Sequence, residues 1–169
     1  MLFHKIRYFY LFPKFRMAWR CSGNSNSSLI SNMFRSGIIK NEIVRDAMMG
    51  TDRALYVPHN FRSRAYDDNP LAIGYNATIS APHMHAYALE NCLKPILNAH
   101  AEGRDAVVLD VGCGSGYLLG AFGRIGKTKV FGLEHIKELY EMSLKNFKVS
   151  FQSIFRSYFF GESTNPFFG

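Results

Sequence analysis

The chain has 169 residues, 47% of them hydrophobic, and a formal net charge of +7. That length suits one domain with its own core, and no apolar run reaches the roughly 18 residues a membrane-crossing helix needs, so a soluble protein with no membrane partner is expected. Cys21, Cys92 and Cys113 have neither the even count of a disulfide framework nor metal-ligand spacing, so no metal site and a reducing compartment are expected.

The positive charge is uneven. Lys5, Arg7, Lys14 and Arg16 fall in "MLFHKIRYFYLFPKFR" with no acid among them. This stretch lacks the apolar core of a secretory signal. Residues 1–16 read as an unstructured basic and aromatic extension before Met17, with import into mitochondria as the alternative to a cytosolic location. The remaining Lys and Arg are mixed with acids and form no basic stripe interleaved with aromatics, so nucleic acid is not an expected partner.

In "SSLISNMFRSG" a serine cap, Leu29, Ile30, Met33 and Phe34 at helical spacing and a stop at Gly37 predict a short amphipathic helix. "NEIVRDAMMG" predicts a second, capped by Asn41, with Ile43, Val44, Ala47 and Met48 as its apolar face. The pair reads as an antiparallel hairpin. "TDRALYVPHNFRSRAYDDNPLAIGYN" has two prolines, Asp and Asn clusters and little periodicity, which describes a long surface loop. Pro82 suits the first turn of a third helix, which Pro95 should end or kink.

"AVVLDV" is β-branched and almost wholly apolar, as a strand buried on both faces of a parallel sheet should be. "YLLGAFGRI" follows as a helix, "TKVFGLEH" as a second strand and "IKELYEMSLKNFK" as another helix, the opening of a doubly wound sheet. The tail from Phe147 holds seven of the fifteen phenylalanines and follows neither a strand nor a helix rhythm. Nothing in it is expected to cover the edges of the sheet.

Between the first strand and its helix lies "LDVGCGSG". Gly112, Gly114 and Gly116 let the chain turn sharply while its backbone N–H groups approach a ligand. A dinucleotide fingerprint needs its third glycine at position 117, which is Tyr117, so NAD and FAD are set aside. Asp110 before the glycines and Glu134 at the end of the next strand form instead the arrangement used for S-adenosyl-L-methionine. Glu134 can accept two charge-assisted hydrogen bonds from a ribose diol, and Asp110 favours the positive sulfonium.

"TISAPHMHAYALE", followed by "LDVGCGSG" and "EHIKEL" and preceded by "TDR" and "AYDDNPLAIGY", resembles the protein-L-isoaspartate (D-aspartate) O-methyltransferase family over about residues 17–146. The resemblance implies methyl transfer from S-adenosyl-L-methionine, leaving S-adenosyl-L-homocysteine, to the carboxylate of isoaspartyl or D-aspartyl residues in damaged proteins, as the first step of repair. It further implies Ser80 as the active-site residue, Ala77, Thr78, Ile79 and Ser80 as a cofactor-contacting run, and His85, Ser115, Glu134 and His135 at cofactor-binding positions, beside Asp110, Gly112 and Gly114. A carboxylate is already ionised at neutral pH, so Ser80 has to orient it and not deprotonate anything. His83 and His85 diverge on a helix and do not make a metal pair.

The expected fold is α/β: a truncated Rossmann-like S-adenosylmethionine-dependent methyltransferase fold with an N-terminal helical hairpin. Residues 1–16 form the extension, 17–146 a partial methyltransferase domain and 147–169 a divergent Phe-rich tail. The family continues well past the point where the resemblance stops. Two functional readings therefore stand, a repair methyltransferase acting as a monomer, and a catalytically weak or inactive splice product or partial gene model that at most binds the cofactor.

Overall fold

A computed structural model describes residues 21–150 and the backbone of residues 159–162. The expected extension over residues 1–16 lies outside the described residues, as do the side chains of the tail beyond Ser150.

The first helix, α1, spans Asn26–Arg35. Its cap is Ser25, two residues before the serine the sequence pattern suggested: Ser28 N–H donates to Ser25 Oγ at 3.1 Å, and Ser25 N–H donates to Ser28 Oγ at 3.0 Å. This is a reciprocal capping box with serine in the place usually held by Glu or Gln. Helix α2, Glu42–Met49, starts as expected at Asn41, whose Oδ1 accepts from Ile43 N–H at 2.9 Å. Asn26 Nδ2 donates to the carbonyls of Met48 and Met49, both at 3.0 Å, and so ties the start of α1 to the end of α2.

The segment from Thr51 to Asn76 is not a surface loop. It contains 3-10 turns at Arg53–Leu55 and His59–Arg64, then strand β1, Leu71–Gly74, paired antiparallel with β2, Ala77–Ile79. Tyr75 and Asn76 turn the hairpin at φ +53° and +57°, left-handed values that asparagine tolerates better than tyrosine. Leu71, Ile73 and Ile79 join Tyr56, Val57 and Ala65 in a small core of their own. The prolines and acidic clusters masked this alternation because it is only two apolar positions long in β1.

Helix α3 spans Pro82–Ala101 and runs through Pro95 without ending. Pro95 is on the exposed side, while Leu93, Ile96 and Ala99 are buried; packing on that side holds the last turns on the core despite the missing N–H. Glu90 Oε1 accepts from the backbone N–H groups of Lys40 at 2.7 Å and Asn41 at 2.8 Å, which fixes α3 against the start of α2.

Strand β3, Ala106–Val111, pairs parallel with β4, Thr128–Glu134, in the register Ala106↔Thr128 to Val111↔Leu133. Helix α4, Tyr117–Phe122, and helix α5, Lys137–Ser150, follow the two strands. Helix α5 passes through Asn146 and buries Phe147, so the boundary expected after residue 146 falls inside a continuous helix. A fifth strand, β5, Phe159–Glu162, pairs parallel with β4 from Phe131↔Phe159 to Glu134↔Glu162. The tail thus does cover one edge of the sheet. Its strand was hidden because four residues are too few to show a period.

The other correction concerns β3. Val107, Leu109 and Val111 are 66%, 62% and 68% exposed, whereas Ala106 is buried. In the parallel register these three stand beside Lys129, Phe131 and Leu133, while Val108 and Asp110 face Val130 and Gly132 on the buried side. The sequence is apolar on both faces, and the described residues supply packing for one of them.

Candidate functional site

The carboxyl end of β3, the glycine turn and the β2–α3 junction meet around a cavity of about 120 Å³. Its walls include Thr78, Ile79, Ser80, His85, Asp110, Gly112, Gly114 and Ser115. Two segments that are some twenty residues apart in the sequence therefore line one cavity. Ala77, Glu134 and His135 are outside the lining. Ala77 pairs with Gly74 in the hairpin, and His135 is an exposed side chain with Nδ1 3.2 Å from Glu134 Oε1. Cys113, Tyr117 and Leu118 line the cavity and were not singled out as site residues; Tyr117, in the place of the missing dinucleotide glycine, was the available signal.

Gly112, Gly114 and Gly116 have φ of +76°, +52° and +79°, which is why alternate positions of the turn are glycine. The amides of these three glycines are already engaged within the fold. Gly112 N–H donates to Leu133 O at 2.8 Å, Gly116 N–H to Cys113 O at 2.8 Å and Gly114 N–H to Glu134 Oε2 at 2.9 Å. With those donors already used, the turn gives shape and close approach but no phosphate nest.

Glu134 is buried, 3% exposed, with its carboxylate directed into the turn. Besides Gly114 N–H on Oε2, its Oε1 accepts from His135 N–H at 2.8 Å and Ile136 N–H at 3.1 Å. It braces the glycine turn against the start of α5, and this is a role the sequence did not suggest. Contact with a ribose at the free lone pair of Oε2 is compatible with that brace.

Asp110 presents a carboxyl group to the cavity whose pKa is raised by burial and by the nearby Glu134 charge. Its folded pKa lies above its unfolded value, so the ionised form is a burden on the fold above that pKa, and the burden disappears at low pH. Asp110→Asn is therefore expected to raise the melting temperature at neutral pH and to leave it unchanged below the carboxylate range, as read by thermal denaturation at both. An equal effect at both would mean that packing, not charge, is responsible.

His85 is held neutral. Burial, then the Arg53 and His83 charges, push its pKa down to about 3. Its ring stacks on Tyr117 with centroids 4.5 Å apart, and Tyr56 meets Tyr117 edge-on at 5.3 Å. Burial raises the Cys113 thiol to about 12, helped by Asp110 and Glu134, so it is no nucleophile. One lining carboxylate, Asp110, with Glu134 behind the turn, a neutral imidazole and no lining cation make a site suited to a positively charged ligand. That charge balance and the open glycine turn fit S-adenosyl-L-methionine. No three His, Cys, Asp or Glu side chains group to hold a metal, and no helix is long and apolar enough to cross a membrane, among the described residues.

A parallel sheet flanked by helices, with a cavity of this chemistry at the strand ends, defines a Rossmann-like methyltransferase domain. A structure from Plasmodium falciparum, described as a protein-L-isoaspartate O-methyltransferase in complex with S-adenosyl-L-homocysteine, superposes with a TM-score of 0.67 at 33% identity, over 82% of this chain and 62% of that one. The chain belongs to the protein-L-isoaspartate(D-aspartate) O-methyltransferase family, whose model matches residues 24–157. It is 42% identical over 134 residues to the protein-L-isoaspartate O-methyltransferase of Caenorhabditis elegans, and 42% identical over 137 residues to protein-L-isoaspartate O-methyltransferase 1 of Arabidopsis thaliana. These alignments cover 78% of this chain and 55% of each relative, so the chain spans about half the length of the curated relatives it matches.

Proposed function

We propose that this chain carries the cofactor-binding half of a protein-L-isoaspartate O-methyltransferase, with S-adenosyl-L-methionine as methyl donor and isoaspartyl or D-aspartyl residues of damaged proteins as acceptors. The observation that carries the reading is the convergence of Ser80, His85 and Asp110 on one cavity beside the glycine turn. Bound there, the cofactor supplies a methyl group made electrophilic by its sulfonium. Asp110 favours that positive charge, Glu134 keeps the turn in place, and His85 adds no charge to oppose it. Ser80 Oγ would orient the acceptor carboxylate. With the cofactor bound, transfer would form one O–C bond as one S–C bond breaks, sulfur would keep the electron pair, and no proton would need to move. On this reading the protein works in the cytosol as a monomer, on polypeptides and not on nucleic acid.

The test incubates purified chain with methyl-labelled S-adenosyl-L-methionine and paired peptides that contain isoaspartate or normal aspartate, and follows S-adenosyl-L-homocysteine binding by calorimetry. Base-labile label in the isoaspartyl peptide alone is expected. Binding without turnover would leave the alternative of a chain that only holds the cofactor, and absence of both would sink the assignment.

A further inference from the structure

Helix α3 begins two residues after Ser80, yet its own N-cap residue, Ala81, offers no side-chain acceptor. The acceptor comes from far away in sequence. Asp68 Oδ1 takes the backbone N–H of His83 at 3.0 Å and lies 2.9 Å from His83 Nδ1. Asp68 is 2% exposed, and its second oxygen, Oδ2, is buried with no hydrogen-bond partner among the described residues. The wholly buried Arg53 guanidinium, whose charge Asp68 stabilises, donates from Nη2 to Asn69 O at 3.1 Å, and its Nε and Nη1 have no such partner. Its Cζ lies 5.9 Å from the centre of the Tyr117 ring, on which His85 stacks.

A charged acceptor at a helix N-terminus satisfies an orphan N–H and opposes the helix dipole. Here that acceptor fixes the turn from which Ser80 and His85 both enter the cavity. Buried polar atoms without partners cost stability, and these lie behind Tyr117, which lines the cavity, where such groups point to a role at the site or to a bridging water. We propose that Asp68 is a positioning residue for the cofactor cavity: by capping α3 from fifteen residues upstream beside the buried Arg53, it sets the placement of Ser80 and His85. The inference rests on the cavity being the cofactor site.

The groups around His85 are Arg53 from the first 3-10 turn, His83 and the Asp68 carboxylate at the head of α3, Tyr117 from α4, and Asp110 and Cys113 across the cavity. The experiment compares the 169-residue chain with its Asp68→Asn and Asp68→Ala variants by S-adenosyl-L-homocysteine calorimetry, amide hydrogen exchange at residues 83–86 and the NMR shifts of the His85 ring. Asparagine keeps an acceptor for His83 N–H and loses the charge. The expected result is roughly tenfold or greater loss of affinity in Asp68→Ala, with faster exchange and moved His85 shifts, and substantial recovery of all three in Asp68→Asn. Unchanged exchange and unchanged His85 shifts in Asp68→Ala would overturn the proposal, as would failure of Asn to recover any of them. Should wild type not bind the cofactor, the functional reading fails separately, and the exchange and NMR arms still decide the positioning.

Discussion

Glu134→Ala is expected to cost about 3 kcal/mol of folding stability: three backbone donors lose a shared charged acceptor, each such bond contributing about 1.5–3 kcal/mol, and the relieved desolvation of a buried carboxylate offsets part of that loss. Those donors are the N–H groups of Gly114, His135 and Ile136. The same change should remove measurable S-adenosyl-L-homocysteine binding, because the turn that shapes the cavity loses its brace. Denaturant unfolding and calorimetry give the two readings. Glu134→Gln should be intermediate, since one amide oxygen can still serve His135 and Ile136 while the amide nitrogen would face Gly114 N–H donor to donor. A variant that unfolds earlier but binds with wild-type affinity would show that neither the brace nor the Glu134 carboxylate is needed for cofactor recognition.

Acid should destabilise this protein through one imidazole. The pKa of His85 falls from 6.5 unfolded to about 3 folded because burial, Arg53 and His83 oppose its charge. The depressed folded value means that the unfolded chain binds more protons between those limits. The stability associated with neutral His85 is therefore complete above pH 6.5 and is lost as pH falls toward about 3. At about 1.4 kcal/mol for each pH unit, two units of acidification remove about 3 kcal/mol. His85→Gln cannot take up that proton, so its stability should fall less steeply with acid, even if loss of the stack on Tyr117 lowers its neutral plateau by about 1 kcal/mol. Parallel stability curves for the two proteins, measured by urea unfolding across this range, would show that another group carries the acid response.

The strands and helices with clear patterns were legible from the residues. "AVVLDV" and "TKVFGLE" are β3 and β4, and Asn41 does cap α2. The cavity was legible too, because left-handed turns require glycine and Asp110 stands at the strand end. Arg53 and Asp68 were not. A buried charge looks like a surface charge in sequence, and both lie in a stretch whose prolines and asparagines suggest loop. The brace made by Glu134 was missed for a different reason: its acceptors serve backbone N–H groups, which leave no trace in residue identity. The exposed face of β3 could not be read either, since an apolar strand announces that it needs cover and says nothing of whether the cover is there.

That parallel pairing has a kinetic consequence. Ala106 aligns with Thr128, twenty-two positions later, and the register continues to Val111 and Leu133. Parallel strands cannot meet through a tight turn, so the ladder closes only across the crossover through α4, and such non-local closure is slow. During that wait Val107, Leu109 and Val111 are open to other chains, and among the described residues nothing covers this face in the folded structure. Refolding, which is first order in protein, then competes with association, which is second order, and the yield of native chain should fall as the concentration in the refolding mixture rises.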